Sequence, residues 1–209
     1  MEPLVMTLAE LRAKCPGGWV ELTLGQYQSI YKDWNIEKEP HERDYFKLLE
    51  ILCGFHDPNV TPEKEEAIYQ LTRWVNEDPI TYSREVPKSI NLDGRVIEIE
   101  KVEELSIGQN ILVKQALDKA KYLDECISTA LAIYLQPKYD GEKFDLKKAQ
   151  RLEAELLKMK ASELYGLGFF LLNRALKRGR ISPMRWSLTR SNLINRLRRM
   201  FPQWQRAPL

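Results

Sequence analysis

The chain has 209 residues, 44% apolar and 30% charged, with a formal net charge of +2. That composition carries enough apolar mass for a buried core and excludes disordered, collagenous and disulfide-stapled classes. Its three cysteines (Cys15, Cys53, Cys126) and two histidines (His41, His56) are widely spaced with no CxxC pair, which argues against a zinc site and for reduced thiols.

The N-terminal MEPLVMTLAEL lacks the basic and apolar regions of a signal peptide. The longest apolar run, Tyr165 to Leu172, is far short of a membrane span. The expectation is a protein that is not secreted and meets no membrane. A short strand is weakly signalled over Pro16 to Leu22.

The first strong signal is ELTLGQYQSI, Glu21 to Ile30, because it is nearly repeated 83 residues later as ELSIGQNILV, Glu104 to Val113. In both, a hydroxyl residue precedes a glutamine by three positions: Thr23 and Gln26, Ser106 and Gln109. That is capping-box spacing, in which the hydroxyl accepts from the N3 amide and the Gln side chain returns to the cap's own N–H. Leu22 and Leu105, just before the caps, are placed to staple the start of each helix.

Downstream of the first copy, DYFKLLEILCGF (Asp44 to Phe55) reads as an apolar helix, and Thr61 caps TPEKEEAIYQLTRWV. Downstream of the second, LDECISTALAIYL (Leu123 to Leu135) reads as an apolar helix, then a loop containing Pro, then DLKKAQRLEAELLKM capped by Asp145. Gly25 to Thr61 is 36 residues and Gly108 to Asp145 is 37. This self-similarity at fixed spacing predicts a degenerate duplication of a three-helix unit, about 19–78 and 102–160.

Between the units, Asp93-Gly94 is a two-residue hairpin turn flanked by alternating apolar residues. The predicted β-hairpin spans 86–101, with arms Val86 to Leu92 and Arg95 to Lys101. The helix after Asp145 is expected to run to about Lys160. A break over Ala161 to Gly168 follows from Gly166 and Gly168, which lower helix propensity. FFLLNRAL then packs with its aromatic pair inward, and Tyr165, Phe169 and Leu172 recur at core spacing.

From Leu164 onward the chain has ten basic residues and no acidic one, whereas residues 1–163 carry 22 basic and 30 acidic side chains, a net of −8. A helical body over 1–178 thus leads into a basic C-terminal arm, 179–209. The arm contains one short amphipathic helix over Thr189 to Phe201, with Leu193, Leu197 and Phe201 on one face and Pro202 stopping it. Its candidate partner-binding residues are Trp186, Arg190, Arg196, Arg198, Arg199, Phe201 and Trp204.

No phosphate loop, dinucleotide fingerprint, nucleophile elbow or HExxH is present. The carboxylate runs, Glu63 to Glu66 and Glu103-Glu104, read as solvated helix starts. No catalytic, cofactor or metal set emerges, so the expectation is a protein that is not an enzyme. The arm supports docking on an acidic protein surface, with the body's own −8 available on a second copy. It also supports nucleic-acid binding through arginine on phosphate and indole on bases. The least favoured reading is an anionic membrane surface.

The order PGGWVELTLGQYQSI, LLEILCG, LDGRVIEI, ELSIGQNILV, ALAIYLQPKYDGEKF and GFFLL resembles helical structural and assembly proteins of tailed bacteriophages, particularly crAss-like and other phages of gut Bacteroidetes. The resemblance covers roughly Trp19 to Leu172 and leaves out the basic arm. It implies a role in morphogenesis, as a virion component of the head–tail or tail region or as a tail-assembly chaperone, in the virion or host cytoplasm. It carries over no catalytic residues. The expected partners are other phage structural proteins, copies of the chain itself, or nucleic acid through the arm. The expected fold is mainly α: two related three-helix units around a β-hairpin, with a C-terminal helix and basic arm.

Overall fold

A computed structural model describes residues 8–34, 45–54, 62–77, 82–99 and 102–178. The described chain is mainly helical with one antiparallel hairpin. Helix α1 spans Leu8–Lys14, α2 Leu24–Lys32, α3 Tyr45–Cys53, α4 Pro62–Thr72 and the short α5 Trp74–Glu77. Strands β1 (Ser89–Leu92) and β2 (Arg95–Glu98) follow. Helices α6 (Ile107–Lys119), α7 (Ile127–Asp140), α8 (Leu146–Leu156) and α9 (Ala161–Arg178) complete it. The predicted cap Thr61, the ends Asp44 and Phe55 of the first apolar helix, and the whole arm with its amphipathic helix lie outside the described residues.

Both capping boxes form. Thr23 Oγ1 accepts from the Gln26 amide at 3.2 Å and the Thr23 amide donates to Gln26 Oε1 at 2.9 Å. Ser106 and Gln109 make the same pair at 3.3 and 2.9 Å. Each glutamine also makes a bond that capping logic does not foresee. Gln26 Nε2 donates to the Leu52 carbonyl at 2.5 Å, and Gln109 Nε2 donates to the Ile133 carbonyl at 2.9 Å. In both units the cap of the first helix therefore braces the buried second helix.

The reason is the same in each unit: an orphaned carbonyl. Leu52 lies in the last turn of α3, where carbonyls lose their i+4 donors. Ile133 lies inside α7, but the residue four positions on is Pro137, which has no N–H to give. The proline expected in a loop thus sits inside α7, which runs on to Asp140 and ends at Gly141 in the left-handed region. The apolar helix expected from Leu123 starts instead as a 3-10 turn, Leu123–Cys126.

The hairpin turn is at Asp93-Gly94, both at positive φ (55° and 77°), which glycine tolerates and aspartate reaches among the few other residues that do. The first arm is shorter than expected, and Glu100 and Lys101 of the second lie outside the described residues. Ser89 pairs with Glu98, and one further bond joins the Ile99 amide to the Lys88 carbonyl at 2.7 Å. Pro87 cannot donate, so pairing stops before Val86. Ile90, Leu92, Ile97 and Ile99 are buried on the helices, while Val96 faces outward.

Pro16 to Leu22 forms no strand. It folds as a 3-10 turn, Trp19–Glu21, with the Gly17 amide donating to the Glu21 carboxylate at 2.7 Å. Strand-like pairing begins just after it, where Thr23 bridges Lys160. The Leu24 amide donates to Met159 O (2.7 Å), Gly25 to Leu157 O (2.9 Å), and Ala161 to Leu22 O (2.9 Å).

That bridge relocates the expected break. Helix α8 stops at Leu156 rather than near Lys160, because residues 157–160 leave the helix to pair with the start of α2. No break occurs over Ala161 to Gly168: α9 is continuous through both glycines. They are points of close approach. A Cβ on Gly166 would lie 1.9 Å from the Glu85 carbonyl oxygen, and one on Gly168 would lie 2.4 Å from Ile127 Cγ2. The aromatic pair does not point inward together, since Phe169 is half-buried and Phe170 is exposed. Tyr165 and Leu172 are buried.

A single buried cluster joins both units, the hairpin and α9, from Trp19 to Ala175. Helix α7 is its centre and is buried on nearly every side. Polar side chains tie it to α8. Ser128 and Thr129 both donate to Glu153 Oε1 at 2.7 Å, and Gln136 links Asp140 Oδ2 to the Asp145 amide at 2.8 Å each. A smaller cluster, Leu11, Leu49 and Ile68, seats α1.

Candidate interaction surface

Among the described residues the contact of Tyr27 with Asp124 is rich in polar chemistry and the outer face of α6 in exposed apolar surface; Val20, Tyr69, Val96, Leu146 and Phe170 are exposed as well. Tyr27 donates to Asp124 Oδ1 at 2.6 Å, and Gln28 Nε2 donates to the Asp124 carbonyl at 2.9 Å. Around Tyr27 stand Tyr31, Tyr82, Tyr165 and Trp19, with ring centroids 5.1 to 6.3 Å away. Tyr82 donates to the Trp19 carbonyl. The segment Tyr82 to Glu85 then crosses α9 at Gly166. There Tyr82 lies against Tyr165 at 5.4 Å and the Arg84 guanidinium sits 4.9 Å over the Phe169 ring.

Burial pushes the Asp124 carboxyl above the usual aspartate range, against the opposing pull of the Tyr27 hydroxyl, its own backbone N–H and nearby Arg84. Burial likewise raises Tyr27, helped by the Asp124 charge, and raises Tyr165 to about 12. A folded-state value above the unfolded one means that Asp124 favours folding most when protonated. That contribution is lost as pH rises from about 3.9, the unfolded value, through the raised folded value.

Asp124→Asn removes the ionisation and keeps an oxygen for Tyr27. Urea unfolding at acid and neutral pH should show the variant gaining on the parent as pH rises through that window. Tyr27→Phe should cost about 1–3 kcal/mol at neutral pH by stripping a buried charge of its donor, and less when combined with Asp124→Asn. A parent that gained on Asp124→Asn with rising pH would overturn the sign.

The neighbouring Cys53 thiol is the chief reason the Cys15 thiol is raised, and burial pushes Cys126 up to about 12. Among the described residues no three potential ligands converge. No described helix is long and apolar enough to cross a membrane.

The outer face of α6 is different. Ile107 is 83% exposed and Ile111 50%. Lys114, Gln115 and Asp118 continue the stripe at helical spacing, so it begins apolar and ends in mixed charge. A Cβ on Gly108 would meet nothing within 4 Å. Below the stripe, Glu103 and Glu104 pair with Lys138 (3.0 Å) and Arg174 (2.9 Å) while remaining mostly exposed.

The corresponding positions of α2 are covered. Leu24 is 0% exposed and Gln28 is buried against Asp124. A Cβ on Gly25 would lie 3.0 Å from Leu157 O. The motif is thus written twice, packed once and left open once. Sequence reasoning read both copies as helix starts and missed the open face, since equal local sequence gives equal local signals. The predicted caps Thr23, Gln26, Ser106 and Gln109 position the two helices. The predicted arm residues Trp186, Arg190, Arg196, Arg198, Arg199, Phe201 and Trp204 lie outside the described residues.

No family model, curated protein or solved structure matches this chain.

Proposed function

We propose that this chain is a non-enzymatic assembly protein of the bacteriophage morphogenesis class its sequence resembles. In this reading it is a component of the head–tail or tail region that binds copies of itself or other structural proteins of the particle. The observation that carries the proposal is the open α6 face: Ile107 and Ile111 in the second unit stand bare where Leu24 and Gln28 in the first are buried. Exposed apolar residues on a helix braced at its cap are a preorganised contact surface. Asp124, Tyr27, Tyr82 and Tyr165, four of the described groups with displaced protonation, are engaged with one another or with the chain around them.

Light scattering on the full chain at low and high salt tests this. The expected result is a closed oligomer, reduced in mass by Ile107→Asp with Ile111→Asp. A monomer at every salt overturns self-assembly, and oligonucleotide binding that weakens steeply with salt would put nucleic acid in its place.

A further inference from the structure

Resting on that reading, we infer that the α6 face formed by Ile107, Gly108 and Ile111 is the docking site of this chain's own C-terminal segment, Leu193 to Pro202. The first unit supplies the template. There the face made by Leu24 and Gly25 is covered by the chain leaving an amphipathic helix, α8. Its carbonyls at Leu157 and Met159 accept from the Gly25 and Leu24 amides. Those amides are the first in their helix and have no intrahelical acceptor. The equivalent amides of Ile107 and Gly108 have no backbone partner among the described residues. The open site therefore asks for the same occupant: an amphipathic helix end, then extended backbone with free carbonyls, flanked by basic residues.

The arm is written to that pattern. The template's helix and its exit carry Leu152, Leu156 and Met159 at i, i+4 and i+7, with Lys158 and Lys160 around the methionine; α8 itself packs on α7, and its exit is what reaches α2. The arm carries Leu193, Leu197 and Met200 at the same spacing, with Arg198 and Arg199 before the methionine. Pro202 then forbids further helix, as the template's exit into extended backbone requires.

Charge and reach agree. Residues 179–209 hold seven basic side chains and no acidic one, and the site is bordered by Glu103 and Glu104, which stay largely exposed although each already meets one cation, Lys138 or Arg174. Arg174 donates to the Val102 carbonyl at 3.1 Å and to Glu104 at 2.9 Å. The last described turn of α9 therefore ends beside the start of α6. Residues 179–192 span up to about 45 Å when extended, and α6 is only about 20 Å long. The segment reaches the face of its own molecule or of a neighbouring copy.

The test uses the full chain with the photo-reactive residue p-benzoylphenylalanine at position 107, irradiated, digested and sequenced by mass spectrometry. The expected cross-links join position 107 to peptides within residues 190–204 and fall at least tenfold in Leu197→Asp. Cross-links confined to other segments, or none, overturn the assignment. A mixture of light and isotope-labelled chains separates contacts within one molecule from contacts between two, and either supports the site. Light scattering on the same sample separates the two claims. An oligomer without the arm cross-link sinks the docking site and leaves the assembly proposal standing. A monomer with an intramolecular cross-link does the reverse.

Discussion

Gly166→Ala should lower the urea midpoint of unfolding more than a methyl added to any other described glycine. The new Cβ would lie 1.9 Å from the Glu85 carbonyl oxygen and 2.9 Å from its carbon. Both are backbone atoms, so no rotamer change relieves the clash. Relief requires α9 and the segment Tyr82 to Glu85 to separate by more than an ångström-scale adjustment, and that segment is fixed on either side. Tyr82 bonds to the Trp19 carbonyl and lies against Tyr165, and Arg84 sits over Phe169.

Overpacking of a buried contact costs about 1–3 kcal/mol and more where nothing gives, against about 1 kcal/mol returned by replacing glycine with alanine in a helix. Both contacts here are to backbone, which puts the cost at the top of that range, so a net loss of about 2 kcal/mol is expected. Two companion variants decide whether the crossing is the cause. Gly168→Ala meets side-chain atoms alone, Ile127 Cγ2 at 2.4 Å with Ile127 Cβ and Leu131 Cδ1 at 3.4 and 3.5 Å, and should lose less. Gly108→Ala meets nothing within 4 Å and should be neutral or stabilised. If the three substitutions cost the same, glycine is acting through helix propensity alone and the crossing is not where the structure puts it.

The same residues show what was and was not legible in the sequence. A capping box is local: four residues decide it, and both boxes form with the predicted partners. The Asp93-Gly94 turn is equally local, and it fixed the hairpin register even though Pro87 shortened the first arm. Gly166 and Gly168 were readable only as helix breakers, since propensity is a property of the residue and close approach is a property of what crosses it. That crossing chain comes from some 80 residues away, and nothing near the glycines announces it.

The end of α8 failed for a related reason. LLKMK has good helix formers throughout, but backbone pairing with the start of α2 overrides them. The open face of α6 was invisible because the two motifs differ in their neighbours and hardly in themselves.

The second prediction concerns the brace that holds that face. Gln109→Ala should destabilise the protein by about 2–4 kcal/mol, the sum of a lost cap interaction (about 1 kcal/mol) and a buried carbonyl left without a donor (about 1–3 kcal/mol). The carbonyl is that of Ile133, and it depends on Gln109 Nε2 because Pro137 has no N–H. The two residues are therefore coupled although they need not touch. Pro137→Ala supplies the missing amide within α7 and removes a helix-interior proline, so alone it should stabilise.

In the Pro137→Ala background Gln109→Ala should cost only the cap term. A double-mutant cycle should thus return a coupling of about 1–3 kcal/mol. Gln109→Glu keeps the oxygen that accepts from the Ser106 amide but turns the donor to Ile133 into a carboxylate oxygen facing that carbonyl, so it should cost at least as much as the lost donor. The parallel substitution Gln26→Ala should show no coupling of this kind. Leu52 lies in the last turn of its helix, where the carbonyl is orphaned by position rather than by a proline. An additive cycle for Gln109 and Pro137 would mean that Ile133 finds its donor elsewhere, and the brace on α6 would have to be sought in the side-chain packing of Val113 and Leu117.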